Sequence, residues 1–259
     1  MTEHIKDLDL QELDDCEITC DSLTPEWNIY QLKRGHRFSS DDIFTAHVAT
    51  LLQPNAVDCL DLGAGIGTVG LLSLWNLQAS AKLHMIEAQQ VSHQLACKTI
   101  EKNKLQSRVC AIHGDIRDRS HISRDVSFDL ITGSPPYFPL GKGLISPHPQ
   151  RAACRMELRG SVQDYVDAAS DYLNATGLFA ICFPHGDSRC KEALIARQFN
   201  IIACQDIVFR HDLHPTISVF AATKDQSRQR TTLNPIVIRG PKGQFTENYL
   251  GIRKRMGQP

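Results

Sequence analysis

The sequence predicts an α/β fold in which strands and helices alternate around a mostly parallel sheet. Five apolar, strand-like runs between residues 57 and 183 are separated by segments with helical spacing of apolar residues. A glycine-rich turn, Gly63 to Gly67, directly follows the first of these runs. Two further strand patterns, 201–209 and 217–223, follow each other without a helix, which indicates a closing antiparallel hairpin and seven strands in all.

Composition favours one large α/β domain with small appendages. The chain has 259 residues, of which 42% are apolar, and no apolar run approaches the length of about 20 residues that a membrane span needs. The amino terminus is acidic where a signal peptide would be basic and then apolar. Nine cysteines without a C-x-x-C pair favour reduced thiols and no structural zinc. We therefore expect a soluble, cytoplasmic or nuclear protein without a membrane partner or a bound metal.

The charge distribution divides the chain into three parts. Residues 1–26 hold nine acidic residues against one lysine, and residues 224–259 hold eight basic residues against two acidic ones. We expect an acidic arm at 1–26, the α/β domain at 27–223, and a basic extension at 224–259 that packs on the domain. A basic extension is compatible with a phosphate backbone as partner, whereas solvated surface charge is the alternative for both ends.

The first helix precedes the first strand of the alternating pattern. Residues 27–38 have the pattern of a short hairpin or of a strand and a turn, and residues 41–52 follow as a helix. Its apolar residues fall on one face, and Pro54 ends it. These apolar residues are Ile43, Phe44, Val48, Leu51 and Leu52.

A nucleoside-containing cofactor is predicted by two features taken together. The strand 57–62 runs into the glycine turn, whose glycines let the backbone turn tightly and let a ligand approach the following helix, residues 68–77. The spacing is G-x-G-x-G rather than the G-x-G-x-x-G of dinucleotide sites. The next strand ends at Glu87, 20 residues past Gly67, where a carboxylate can bind both hydroxyls of a ribose.

Two more strand ends contribute side chains to the same predicted edge of the sheet. Asp115 follows the strand 109–113, where the amino group of an adenine would lie if the sheet is doubly wound. A helix cap or a turn residue is the alternative for Asp115. The strand 128–132 leads to Ser134-Pro135-Pro136-Tyr137. All of these residues should meet at one crevice, because open α/β sheets bind ligands at the carboxyl ends of their strands.

The Pro-Pro stretch has the properties of an amino-group clamp. Two consecutive prolines make a stiff loop that lacks N–H donors, so its carbonyls are free acceptors, and Tyr137 provides an aromatic face for a base. A simple turn that closes a buried strand is the alternative. Beyond it, Arg151, Arg155 and Arg159 can hold phosphates or can serve surface solubility. The pair His211 and His214 lacks a third ligand, so we predict no metal site there.

The order of elements and these residues resemble the class I S-adenosylmethionine-dependent methyltransferases. Asp61 to Gly67 resembles their cofactor loop, Glu87 their ribose-binding acid and Asp115 their adenine-side residue, while Ser134 to Tyr137 looks like a variant of their Asn-Pro-Pro-Tyr motif. This resemblance implies a Rossmann-like fold with a seven-stranded, mostly parallel sheet and a closing hairpin. It also implies S-adenosylmethionine as cofactor. The cofactor-binding residues implied are Asp41, Asp61, Gly63, Gly65, Gly67, Glu87, Asp115, Ile116 and Ser134.

More narrowly, the chain is similar to the bacterial valine-tRNA adenine N6-methyltransferases. The similarity includes Phe38-Ser-Ser-Asp41 to Ala46, Ser134 to Phe138, Cys154-Arg155-Met-Glu157, and a last strand and turn from Pro235 to Thr246. It implies methyl transfer to an exocyclic amino group of a base, and we expect this group to be adenine N6 in tRNA or other structured RNA. The catalytic residues implied are Ser134, Pro135, Pro136 and Tyr137. The substrate-binding residues implied are Tyr137, Phe138, Arg151 and Arg155.

Ser134 is a departure from the asparagine of the family. A serine hydroxyl can accept one N–H bond, but it is shorter and must also satisfy its own proton. Two alternatives therefore stay open beside the RNA methyltransferase: methylation of a protein glutamine amide, and a methyltransferase-like binding or scaffold protein without turnover. The sequence also leaves open whether a protein partner is needed.

Overall fold

The computed structural model describes residues 8–12, 17–142 and 145–258. A two-stranded sheet precedes a larger one, and the ten strands of the described residues are numbered in chain order. They are β1 Ile18–Ser22, β2 Asn28–Leu32, β3 Asp58–Leu62, β4 Lys82–Glu87, β5 Val109–His113, β6 Phe128–Gly133, β7 Leu173–Pro184, β8 Asn200–Arg210, β9 Ile217–Thr223 and β10 Ile236–Arg239. The helices are α1 Ser40–Leu52, α2 Thr68–Asn76, α3 Gln90–Lys102, α4 Pro149–Arg155, α5 Val162–Tyr172, α6 Arg189–Ala196 and α7 Glu247–Arg255.

The large sheet confirms the predicted α/β class and its closing hairpin. Its strand order is β10-β8-β9-β7-β6-β3-β4-β5, and β3 to β7 are parallel. Strand β9 runs antiparallel to both β7 and β8. The described part of this sheet has eight strands instead of the predicted seven, since β10 pairs in parallel with β8. Ile236 and Ile238 alternate along β10 and are buried, which explains why this short segment joins the sheet.

Helices cover both faces of the sheet. The apolar side chains of α1, α2, α3 and α7 join one core cluster, and those of α5 and α6 join a second cluster on the opposite face. Helix α1 is packed between the sheet and α7, where Phe44 and Tyr249 have ring centroids 5.9 Å apart. The carboxyl-terminal segment 236–258 therefore contacts the α/β domain through a strand, a helix and side-chain packing.

Part of the segment expected to form an acidic arm is a strand. Strand β1 pairs antiparallel with β2, so the boundary placed at residue 26 falls inside a hairpin. The backbone of β2 is attached to α3, because Asn28 N donates to Asn103 Oδ1 at 2.8 Å and Tyr30 N donates to Thr99 Oγ1 at 3.0 Å. Residues 1–7 and 13–16 of that segment lie outside the described residues. None of the helices in the described parts of the chain is long and apolar enough to cross a membrane.

The parallel register brings three strand ends together. Leu62 at the end of β3 is paired with Ile86 of β4 and with Gly133 of β6. The glycine turn, Glu87 and Ser134 follow or coincide with these strand ends, so they meet at the carboxyl edge of the sheet. The predicted convergence of these three features is confirmed.

Candidate active site

The glycine turn between β3 and α2 can exist only with glycine at its key positions. Gly63, Gly65 and Gly67 have φ angles of +57°, +58° and +92°, in the region that favours glycine. A Cβ on Gly63 would lie 1.9 Å from the Tyr165 hydroxyl oxygen, whereas a Cβ on Gly65 would meet no atom within 4 Å. Gly63 is therefore required by packing, and Gly65 leaves open space for a ligand.

Glu87 is buried at the end of β4 and is aimed at the glycine turn. Its Oε2 accepts a hydrogen bond from Gly65 N at 2.8 Å, and its Oε1 accepts one from Gln89 N at 2.7 Å. Burial is the largest influence on this group and raises the pKa of its carboxyl, opposed by the two backbone donors. Each carboxylate oxygen can accept a further bond, so Glu87 can bind two hydroxyl donors.

Asp61 has structural contacts in addition to its place at the cleft. Its Oδ1 accepts from Thr132 Oγ1 at 2.7 Å and its Oδ2 from Gly70 N at 2.9 Å. These bonds join β3 to β6 and to α2. Burial raises the pKa of Asp61 to about 6 despite both donors. Its predicted contact with a cofactor stays a prediction.

The space between these elements is a cavity that we name the glycine-loop cleft. It has a volume of about 90 Å³ and is lined by Gly63, Gly65, Glu87, Ile116 and Ser134, all of them predicted cofactor residues. Further residues that line it were not predicted as cofactor residues. They include His36, Phe38, Gln89, Arg159 and Tyr165.

Asp115 is directed to a neighbouring arginine. Its carboxylate forms an ion pair with Arg117 at 2.6 Å and also accepts from the Arg117 backbone N at 2.9 Å. Desolvation is the largest single influence on the pKa of Asp115 and raises it. The hydrogen bonds and the charge of Arg117 together outweigh desolvation, so the pKa is lowered. It is not among the residues lining the glycine-loop cleft, whereas the adjacent Ile116 is. These contacts favour the alternative in which Asp115 is a turn residue.

A second cavity adjoins the first, and we name it the acceptor-loop pocket. It has a volume of about 270 Å³, and the residues that line it include Asp41, Pro135, Tyr137, Phe138 and Arg155. The two cavities share four lining residues, which we call the seam. The seam residues are His36, Asp42, Ser134 and Cys154.

Ser134 has the least satisfied side chain at the seam. Its Oγ is buried and has no hydrogen-bond partner among the described residues. A buried hydroxyl without a partner costs about 1 to 3 kcal/mol, so such a group is rare unless a ligand completes it. Within the described structure the Pro135 carbonyl next to it also receives no N–H donor. Two acceptors without a donor among the described residues therefore belong to neighbouring residues, Ser134 at the seam and Pro135 in the acceptor-loop pocket.

Tyr137 is fixed by contacts at both ends of its ring. Its hydroxyl donates to Asp41 Oδ2 at 3.1 Å and lies 3.3 Å from Cys182 Sγ. Its ring packs edge to face against Phe183, with centroids 5.9 Å apart. Burial and these neighbours raise the pKa of Tyr137 well above 10. The ring is thus held as a rigid wall of the acceptor-loop pocket, and Asp41 supports that wall.

Arg189 at the start of α6 holds the loop from behind, and the sequence pattern did not single it out. Its Nη2 donates to the Tyr137 carbonyl at 3.0 Å, and its guanidinium binds Asp187 at 2.7 Å and also Glu157. It also lies over the Phe183 ring at 5.1 Å from the centroid. Nothing local in the sequence marks Arg189, since its partner carbonyl is 52 residues away.

The other predicted substrate residues differ in their surroundings. Arg155 lines the acceptor-loop pocket, whereas Arg151 donates from Nη2 to the carbonyls of Arg34 and Gly35. Phe138 is 43% exposed, and its backbone exchanges hydrogen bonds with the Arg155 carbonyl and the Glu157 N–H. The structure therefore brings Phe138 and Arg155 together at the pocket and uses Arg151 to hold the loop after β2.

No metal cluster accompanies this site. In the described ranges, no group of three or more His, Cys, Asp and Glu side chains is placed to hold a metal ion. His211 and His214 lie in the exposed loop between β8 and β9.

Comparisons with known proteins agree with this geometry. Residues 38–145 match the family described as methyltransferase small domain. A tRNA1(Val) (adenine(37)-N6)-methyltransferase from Histophilus somni (strain 2336) is 27% identical over 168 residues, which are 63% of this chain and 67% of that protein. A protein of the same name from Flavobacterium psychrophilum is 20% identical over 235 residues, 88% of this chain and 95% of its own.

Solved structures with the same fold are also methyltransferases. A predicted O-methyltransferase from Agrobacterium tumefaciens superposes with a TM-score of 0.65 at 16% identity, covering 85% of this chain and 98% of that chain. The tRNA m1G37 methyltransferase of M. jannaschii superposes with a TM-score of 0.54 at 15% identity, covering 86% of this chain and 59% of that chain. The chain therefore has the fold of the class I methyltransferases and is similar to the methyltransferase small domain over residues 38–145. The predicted resemblance to the valine-tRNA adenine N6-methyltransferases is confirmed at 20 to 27% identity.

Proposed function

We propose that the protein methylates an exocyclic amino group of a nucleic-acid base, adenine N6 in a tRNA, with S-adenosylmethionine as cofactor. The observation that carries this proposal is the unpartnered Ser134 Oγ at the seam of two cavities. A reaction between two bound molecules needs such a junction, because both must reach the same point in a fixed orientation. The relatives described above carry this activity in their names, which supports the choice of adenine in tRNA.

The glycine-loop cleft fits a nucleoside cofactor. Gly65 leaves open space at the turn, Glu87 can take two hydroxyls, and Ile116 adds an apolar wall. In this proposal Glu87 holds the ribose and the seam end of the cleft faces the methyl group. When bound, S-adenosylmethionine supplies an electrophilic methyl group, so the protein needs to supply alignment and charge placement.

The acceptor-loop pocket fits an extruded base. An amino group has two N–H bonds, and in this proposal the Ser134 hydroxyl and the Pro135 carbonyl accept them. The rigid Tyr137 ring stacks against the base, while Phe138 and Arg155 contact the base or its flanking nucleotide. Taking the base out of its strand keeps the phosphates away from the carboxylates of Asp41 and Asp42.

The carboxyl-terminal extension supplies basic side chains for an RNA backbone. The last turn of α7 holds Arg253, Lys254 and Arg255, and the turn after β10 holds Arg239 and Lys242. In the proposal these residues contact phosphates, which position the RNA without reading its sequence. A tRNA-modifying enzyme would act in the cytoplasm.

Mass spectrometry of modified nucleosides tests the proposal. Transfer RNA from cells that lack the protein should have less N6-methyladenosine, and incubation of that tRNA with purified protein and labelled cofactor should restore the modification. Nuclease treatment should destroy the labelled product of a lysate. If protease destroys it instead, the substrate is a protein amide, and if no label is transferred, the scaffold alternative holds.

A further inference from the structure

We infer that Asp42 shares with Ser134 the N–H that this serine accepts from the target amino group, and that Asp42 takes the proton released by methyl transfer. The inference rests on the proposed function. It adds a catalytic residue on α1, outside the acceptor loop that runs from Ser134 to Tyr137. Asp42 is the only carboxylate among the four seam residues, so it borders both cavities together with Ser134.

The orientation of Asp42 is fixed by the start of α1. Ser39 caps this helix, and the Ser39 backbone N donates to Asp42 Oδ2 at 2.9 Å in a reciprocal capping box. No described group hydrogen-bonds to the other oxygen, Oδ1. One oxygen thus anchors the carboxylate, and the second is left for a ligand.

Ser134 makes an additional acceptor such as Asp42 Oδ1 necessary. An asparagine carbonyl accepts an N–H without having to place a proton of its own, whereas the Ser134 hydroxyl has a proton that must find an acceptor. An ionised carboxylate only accepts, and it can bind both the amino group and a hydroxyl. The Asp42 carboxylate therefore supplies an acceptor that has no proton of its own to place, which the shorter Ser134 hydroxyl cannot be.

Methyl transfer also leaves a proton to remove. As the bond from the amino nitrogen to the methyl carbon forms, the electron pair of the broken carbon–sulfur bond stays on sulfur. The nitrogen then has one proton too many, and a carboxylate hydrogen-bonded to it can take that proton directly. The products are the methylated amino group, a neutral thioether and a protonated Asp42.

The electrostatics of the seam favour Asp42 over its neighbours as the base. Burial raises the pKa of Asp42 to about 7, with further contributions from Asp41 and Asp61. Burial, Arg151 and Arg155 lower the pKa of His36 below its usual value, which makes His36 the weaker base. Burial raises the pKa of Cys154 to about 12, so its thiol stays protonated. Several titratable or charged groups share a cavity with Asp42 or interact with it electrostatically. They are His36, Asp41, Asp61, Glu87, Tyr137, Cys154, Arg155, Arg159, Tyr165 and Cys182.

The pH dependence of methylation by Asp42→Asn tests the inference. Wild-type kcat/KM on tRNA from cells lacking the protein should rise with pH through about 7 and then level off, because only the ionised carboxylate accepts a proton. Asp42→Asn should lower kcat/KM by about 10²-fold, the lower end of the contribution of a positioned acid or base, and should remove this rise. Asparagine still accepts the Ser39 N–H, so thermal melting should stay close to wild type. Asp125→Asn, in an exposed loop, should leave the profile unchanged.

Two further measurements separate the role of Asp42 from cofactor binding. Calorimetry with S-adenosylhomocysteine should give the same affinity for wild type and Asp42→Asn within about threefold. In a Ser134→Asn background, Asp42→Asn should cost about tenfold or less, since the asparagine supplies the missing acceptor. An unchanged rate and pH profile in Asp42→Asn, or loss of S-adenosylhomocysteine binding, overturns the inference alone. A wild-type protein that methylates no RNA overturns the proposed function and the inference with it.

Discussion

The glycine-loop cleft and the acceptor-loop pocket meet at Ser134, but different kinds of contact hold them in shape. The cleft is formed by backbone geometry at Gly63, Gly65 and Gly67 and by one carboxylate, Glu87, that binds two backbone N–H groups. The pocket is held by side chains distant in sequence, such as Arg189, which binds the Tyr137 carbonyl. The cofactor side is therefore a local structure, whereas the substrate side depends on the whole domain.

This difference predicts that cofactor binding and substrate use can be lost separately. A change in the cleft should weaken the cofactor, and a change behind the pocket should affect only the RNA reaction. The three substitutions below test the separation, beginning with the largest expected effect.

Glu87→Gln should weaken S-adenosylmethionine binding by about 10²-fold. The amide nitrogen of glutamine cannot accept from either Gly65 or Gln89, and the charge that binds hydroxyl donors is lost, which together costs about 2 to 3 kcal/mol. Calorimetric titration measures the affinity. Glu101→Gln, on the exposed side of α3, is the matched control and should bind as wild type does. Equal affinity in both variants would show that the ribose is not held by Glu87.

Arg189→Lys should lower kcat/KM on RNA by about tenfold and leave the cofactor affinity unchanged. A lysine cannot bind the Tyr137 carbonyl, Asp187 and Glu157 at once, because it lacks the planar fork of the guanidinium. The acceptor loop should then lose its position, which appears as a lower kcat at a nearly constant affinity for S-adenosylmethionine. Arg197→Lys, which alters the exposed pair with Asp167, is the control. A parallel loss of cofactor binding in Arg189→Lys would contradict the separation of the two sides.

Tyr137→Phe should have the smallest effect, a loss of about 1 kcal/mol in the free energy of unfolding and a fall of a few fold in kcat/KM. The phenylalanine keeps the aromatic face but loses the hydroxyl that donates to Asp41. Burial raises the pKa of Asp41 and the Tyr137 hydroxyl opposes this, so the substitution should raise the pKa of Asp41 further. With a raised pKa, Asp41 holds its proton more tightly in the folded state, so its ionisation costs more of the free energy of unfolding. The loss of stability relative to wild type should therefore be largest at a pH where Asp41 is ionised.

Denaturant titration of Tyr137→Phe at pH 5 and pH 8 measures this effect. Tyr249→Phe is the control, since the Tyr249 ring packs against Phe44 and Phe245 and the substitution keeps that ring. A loss of stability relative to wild type that is the same at both pH values would show that the hydroxyl does not support Asp41.

The same contrast explains which features the sequence could predict. The strands, the glycine turn and Glu87 were predictable because their positions follow from local patterns and from the parallel register. Arg189 and Tyr165 were not, because each acts on a residue far away in the chain. The capping-box geometry of Asp42 was within reach of the sequence, as Ser39 precedes it by three residues, but its position at both cavities was not.

The eighth strand and the amino-terminal hairpin show another limit of prediction from sequence patterns. A strand of four residues, such as Ile236–Arg239, has too few alternating positions to be distinguished from a loop by pattern alone. Strand β1 alternates weakly and is exposed on one side, so its charge suggested a solvated arm. Both segments are defined by the edge with which they pair.

A crystal structure of the protein with S-adenosylhomocysteine tests the central claim most directly. The ribose hydroxyls should bind Glu87 at the glycine turn, and the sulfur atom should face Ser134 at the seam. In that arrangement Asp42 Oδ1 and the Ser134 hydroxyl border the space open to an incoming amino group. A nucleoside bound in the acceptor-loop pocket, or a sulfur atom turned away from Ser134, would contradict the account.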